Sequence, residues 1–129
     1  MLSLGASHRY WLYMGVADMR KGFDGLSGLI SRELEGDPLS GDVFVFVNRG
    51  RNRMKLLLWE EGGMVLWYKR LERGTFELPK AHSGLESVSI GWSELMLIIE
   101  GVELASVRKR KRYSLGKKGQ QLAKKMAIG

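Results

Sequence analysis

Residues Asp42–Leu71, DVFVFVNRGRNRMKLLLWEEGGMVLWYKRL, decide the fold. Val43-Phe44-Val45-Phe46-Val47 is apolar at every position, so both of its faces must be covered, which is the pattern of a strand in the middle of a sheet. Met54 to Trp59 and Met64 to Tyr68 repeat the β-branched, aromatic and aliphatic character. Between them Glu60-Glu61-Gly62-Gly63 supplies the glycines of a tight hairpin turn. A closing pair at Glu60 and Gly63 sets Trp59 opposite Met64 and Leu57 opposite Leu66. The stretch is therefore predicted to be a three-strand antiparallel meander over about residues 43–70.

Outward from that centre, Tyr10-Trp11-Leu12-Tyr13-Met14 reads as an aromatic strand ended by Gly15 and available to pair with the meander. From Asp18 to Glu35, Met19, Phe23, Leu26, Leu29, Ile30 and Leu34 recur three or four apart, which predicts a helix. Gly36-Asp37-Pro38 stops it, because proline cannot continue a helix. Beyond the meander, Thr75-Phe76-Glu77-Leu78 alternates as a short edge strand would, and Pro79 ends it. Ser87 to Ile90 has the alternation of a half-buried strand, and Trp92 to Glu100 is a nearly all-apolar helix closed by Gly101. The expected fold is α+β: a mostly antiparallel sheet built on the central meander, helices at about 18–35 and 92–100, and a basic C-terminal tail. Residues 1–107 are expected to form one domain, and residues 108–129 to be a basic tail that is disordered on its own.

Composition narrows the chemistry. The chain has 129 residues and no cysteine, which excludes disulfides, iron–sulfur clusters and thiolate zinc sites. Its two histidines, His8 and His82, give metal binding little to build on. No cofactor and no metal are expected. No apolar run reaches the ~20 residues of a membrane span, and the start lacks the order of a signal peptide, so a soluble, cytoplasmic protein is expected. The formal net charge of +7 is unevenly spread. From Arg108 onward there are nine Lys or Arg and no acid, whereas the preceding residues hold twelve basic and fourteen acidic side chains. A near-neutral body with a cationic arm points to a polyanion, and nucleic acid is the favoured one.

Three basic stretches are candidate contacts. Arg108-Lys109-Arg110-Lys111-Arg112 is the strongest, since such a run binds DNA or RNA by releasing condensed counterions. The turn Asn48-Arg49-Gly50-Arg51-Asn52-Arg53, followed by Lys55, places a cation at every second position, so that the side chains share one face if the strands extend into it. A solvated, aggregation-resistant hairpin explains the same charges. In Asp18-Met19-Arg20-Lys21-Gly22-Phe23-Asp24-Gly25-Leu26 the helix start carries Arg20 and Lys21, where the dipole disfavours cations. Either these residues and the free amides hold a phosphate, or Asp24 is the true cap, Asp18 pairs with Arg20 or Lys21, and the glycines let the helix lie close to the sheet. Trp11, Trp59, Trp67 and Trp92 read as core. Asp18, Asp24, Asp37 and Asp42 would be the carboxylates of a metal-dependent nuclease, but each has a capping or turn role that accounts for it, and catalysis is not expected.

Asp18-Met19-Arg20-Lys21-Gly22-Phe23-Asp24-Gly25-Leu26, Asp37-Pro38-Leu39-Ser40-Gly41 leading into Val43 to Arg49, Lys55-Leu56-Leu57-Leu58-Trp59 and Leu66-Trp67-Tyr68-Lys69-Arg70-Leu71-Glu72 together resemble the TnpB (second-reading-frame) accessory proteins of bacterial insertion sequence 66. The likeness covers about residues 10–78, in order and in register. It implies a small bacterial protein encoded beside a separate transposase and needed for efficient transposition, with no catalytic residues to carry over. The expected function is that of a non-enzymatic transposition accessory protein, with DNA and the transposase of the same element as partners and no membrane contact. A module that docks on the transposase without touching DNA is the alternative.

Overall fold

The computed structural model describes residues 4–80 and 84–101. In chain order these form β1 (Tyr10–Tyr13), α1 (Phe23–Glu33), β2 (Val43–Val47), β3 (Arg53–Glu60), β4 (Gly63–Arg70), β5 (Ser87–Ile90) and α2 (Trp92–Glu100). The strands make one sheet in the order β4-β3-β2-β1-β5. The meander is its β4-β3-β2 half, and Glu60 pairs with Gly63, Trp59 with Met64 and Leu57 with Leu66 as the turn requires. β1 runs parallel to β2, with α1 between them in the chain, and β5 returns antiparallel on its other side. The fold is α+β with a mostly antiparallel sheet, the β1–β2 pair being its one parallel pairing among the described residues.

The two sheet faces bury different side chains, because successive residues of a strand point to opposite sides. Val43, Val45 and Val47 join Met54, Leu56, Leu58, Tyr10, Leu12 and the α2 residues Leu95, Ile98 and Ile99 in one cluster. Phe44, Phe46, Leu57 and Tyr13 join Leu26, Leu29 and Ile30 of α1 in the other. The sheet thus lies between the two helices, and β2 is buried along its whole length. Trp67 and Trp92 pack against the first cluster and Trp11 against the second. The Tyr13 hydroxyl donates to Glu33 Oε2 at 2.8 Å, and burial beside that carboxylate pushes the phenol up to about 12.

Two elements differ from expectation. α1 starts at Phe23 with Gly22 as its N-cap, not at Asp18. The Lys55 ammonium takes the carbonyls of Met19 (2.7 Å) and Lys21 (2.8 Å), which a longer helix would have used for its own ladder. Asp18 turns back to accept from the Arg20 backbone and guanidinium, so it caps nothing. Phe23, counted on the apolar side of the helix, is 49% exposed. Thr75–Leu78 is not a strand. The Phe76 N–H donates instead to the Arg51 carbonyl at 2.7 Å, and its ring is fully buried in the α2-side cluster. The glycines of α1 do not bring it onto the sheet: a Cβ on Gly25 or Gly28 would meet the side chains of Lys21 and Arg32. The tail from 108 to 129 lies outside the described residues.

Candidate nucleic-acid interface

The β2–β3 turn is built by its asparagines. Asn48 Oδ1 accepts from the backbone N–H of Asn52 and of Arg53, both at 3.0 Å, while its amide donates to Asn52 Oδ1 at 2.8 Å. The Leu71 N–H donates to the Asn52 carbonyl at 2.7 Å, which ties the chain leaving β4 to the same turn. Arg49 and Arg51 stand exposed at its tip. Arg51 holds φ at 56°, a left-handed conformation that costs a non-glycine residue of order 1–3 kcal/mol. Arg51→Gly is expected to raise the unfolding free energy by roughly 1 kcal/mol, as chemical denaturation of the variant would show.

The segment before α1 is brought to this same end of the sheet. Ala17 N–H donates to the carbonyl of Val47 at 3.0 Å, and Lys55 fastens Met19 and Lys21 from beneath. The backbone that carries Arg20 and Lys21 is therefore held at the same end of the sheet as the turn arginines. Arg20 is exposed, and its guanidinium meets Asp18 Oδ2 at 2.8 Å. The Asp18 carboxyl is held down to about 2, chiefly by hydrogen bonds from the Arg20 side chain and then from its backbone N–H.

Lys55 does not take the surface role given to it with the turn arginines. It is 5% exposed, with both carbonyl bonds satisfied and its Nζ 4.6 Å from the Tyr68 ring centre. Alternation along β3 puts it on the α1 face, where residues 17–22 cover it. Arg53 stays on that face with its side chain reaching the rim, where Nη1 donates to the Tyr68 hydroxyl at 3.2 Å. Directly across the strand pair stands Arg70, a residue the sequence reading passed over. Its Nε and Nη2 both donate to Glu72 Oε1, at 2.9 and 2.7 Å. Arg53, Tyr68 and Arg70 line an open recess of about 240 Å³. Arg108, Lys109, Arg110, Lys111 and Arg112 lie outside the described residues.

The fold also separates charge along the strands. Glu60 and Glu61 sit at the β3–β4 turn, and β2 begins beside Asp42, which with Glu35 and Asp37 lines a hollow of about 200 Å³ at that end. The arginines of the β2–β3 turn are at the opposite end. A body that is nearly neutral in total thus presents one end richer in arginine, where Asp18 and Glu72 pair with Arg20 and Arg70, and one richer in carboxylates, where Arg9 pairs with Asp42. Among the described residues no three His, Asp or Glu side chains gather as metal ligands, and no described helix is long and apolar enough to cross a membrane.

Comparison with known proteins places this arrangement. The family model for IS66 Orf2-like proteins matches residues 8–109. The chain belongs to the IS66 Orf2-like family. Similar curated relatives include two uncharacterized proteins of Sinorhizobium fredii (strain NBRC 101917 / NGR234). The chain is 36% identical to y4hO over 104 residues, covering 80% of this chain and 88% of that one. To y4jC it is 32% identical over 93 residues, covering 72% and 78%. No solved structure is a significant match. Membership of the IS66 Orf2-like family makes this an insertion-sequence accessory protein, and the family match spans every element of the sheet and both helices.

Proposed function

We propose that the protein assists transposition without catalysis of its own, acting in the bacterial cytoplasm by binding DNA beside the transposase of its element. The observation that carries this reading is the convergence of Arg20 and Lys21 with Arg49, Arg51, Arg53 and Arg70 at one end of the sheet. Three segments far apart in the chain are held together there by the backbone bonds of Ala17 and Leu71 and by the Lys55 ammonium, with Asp18 and Glu72 as the carboxylates paired among them. Phosphate contacts of this kind fix a protein on a duplex without reading its sequence. The arm from Arg108 to Arg112 adds the long-range part of the attraction.

Duplex binding is expected to weaken steeply with salt, with log K falling by about 0.9 per decade of salt for each phosphate neutralised. Deleting residues 108–129 should flatten that slope but not abolish it, because the cationic end of the body remains. Anisotropy titrations of both forms between 50 and 200 mM salt measure this, a range over which a protein with 6–10 phosphate contacts loses roughly 10³–10⁵ in affinity. Equal slopes for the two forms would remove the arm from the reading, and no duplex binding by either would end it.

The second reading, docking on the transposase, draws on β4. It is an edge strand in which Met64, Val65, Leu66 and Trp67 are only half-buried, and edge strands accept added strands. A complex with the transposase that survives both high salt and removal of residues 108–129 would favour it.

A further inference from the structure

We propose that Arg53, Tyr68 and Arg70 form a seat for a single phosphodiester group of the nucleic-acid backbone. The inference rests on the DNA-contacting reading and names the point where the folded body meets the polymer. Arg53 and Arg70 are directly opposite each other on β3 and β4, where side chains on one face come within about 4.5–5.5 Å at Cβ. Like charges in that position repel, and among the described residues only Arg70 of the two has a carboxylate partner, Glu72. An anion between them turns the repulsion into two charge-assisted attractions.

The remaining geometry suits a tetrahedral oxyanion. The Tyr68 oxygen accepts from Arg53 Nη1, which leaves its own hydroxyl hydrogen to donate into the recess. Tyr68 is 46% exposed, so that hydrogen faces solvent rather than a protein acceptor. Beneath the ring lies Lys55, a buried ammonium bonded to two neutral carbonyls and with no carboxylate in ion-pair contact among the described residues. No carboxylate among those residues stands against it, and it adds positive potential under the seat. Glu72 is the one acid paired there, and it uses a single oxygen on Arg70. Glu72 therefore stands where the ligand's oxygen competes. A polymer is favoured over a lone phosphate compound because the exposed Arg49 and Arg51 continue the cationic surface past the recess.

The test uses the full chain with two probes, a short DNA duplex and inorganic phosphate alone. Duplex affinity by anisotropy is expected to fall about tenfold in Arg70→Gln and the salt slope to shrink by about one. Tyr68→Phe, which keeps the ring and loses the hydroxyl, should lose roughly threefold, and Glu72→Gln should gain affinity, in line with removing a competing hydrogen-bonded charge. Arg53→Gln combined with Arg70→Gln should cost less than the two losses added, since both serve one ligand. Arg32→Gln, the same charge change on the last turn of α1, is the control and should leave the slope unchanged. Inorganic phosphate should shift the Arg53 and Arg70 Nε–H resonances in the wild type, and should leave that of Arg53 unmoved in Arg70→Gln. If duplex binding is intact while Arg70→Gln and Glu72→Gln behave as Arg32→Gln does, the seat is refuted and the DNA reading stands. Phosphate-dependent shifts at Arg53 and Arg70 in a protein that ignores duplex would overturn both the DNA reading and the nucleic-acid occupant of the seat, and the absence of both responses would overturn the two together.

Discussion

Replacing Phe46 by alanine is expected to lower the unfolding free energy by about 3–5 kcal/mol, a large share of the 5–15 kcal/mol that holds an ordinary domain together. The ring is fully buried on the central strand, tilted against Tyr13 at 5.9 Å between centroids, on the face that α1 covers. Its loss opens a cavity between layers that cannot close without moving the sheet. Phe23→Ala is the matched comparison, because the same side chain at the start of α1 is half in solvent and should cost less than about 1 kcal/mol. Urea denaturation of the two variants separates them. Equal losses would mean that the helix does not lie on the sheet as described.

Lys55→Met, a change outside the apolar core, should cost about 2–3 kcal/mol and roughly 10 °C in Tm. Methionine fills the space of the stem but leaves the Met19 and Lys21 carbonyls without their donor. Removing the buried ammonium also removes its desolvation cost, which is why the loss is smaller than two charged hydrogen bonds would suggest. The damage should be local first. Hydrogen exchange ought to quicken at residues 17–22 before the β2–β3 pairing is affected, and Arg20 and Lys21 should drift from the turn arginines. An unchanged Tm with unchanged exchange at 17–22 would show that these bonds hold nothing.

The meander was legible in the sequence because its information is local: an all-apolar run, two more apolar runs and a glycine turn between them set the pairing of neighbours. The position of β1 was not, since Tyr10–Tyr13 finds partners at Val43–Val45 and at Ser87–Ile90, and nothing in four residues names strands so distant. The start of α1 was hidden for a related reason. Its would-be first turn is dismantled by a lysine more than thirty residues downstream.

The site shows the same division. Arginines at 49, 51 and 53 were recognisable as charges, yet period-two counting through the turn also swept in Lys55, and only the packing of residues 17–22 over β3 removes it from the surface. Arg70 was within reach of the sequence. The closing pair of Glu60 with Gly63 already implies that Arg53 faces Arg70 seven rungs down the ladder. What the sequence could not supply was the Arg53–Tyr68 hydrogen bond, because strand register fixes the face of a side chain and not its rotamer.

The seat of β1, parallel to β2 and antiparallel to β5, has a consequence for the birth of the chain. Translation at about 5–20 residues per second separates the emergence of Tyr10 from that of Ile90 by roughly 4–16 s. Through that interval the aromatic ribbon Tyr10-Trp11-Leu12-Tyr13 leaves the ribosome with one flank still lacking its mate. β5 is the clasp that ends this vulnerable period, so a message broken before codon 87 yields a nascent polypeptide with a raw, sticky border.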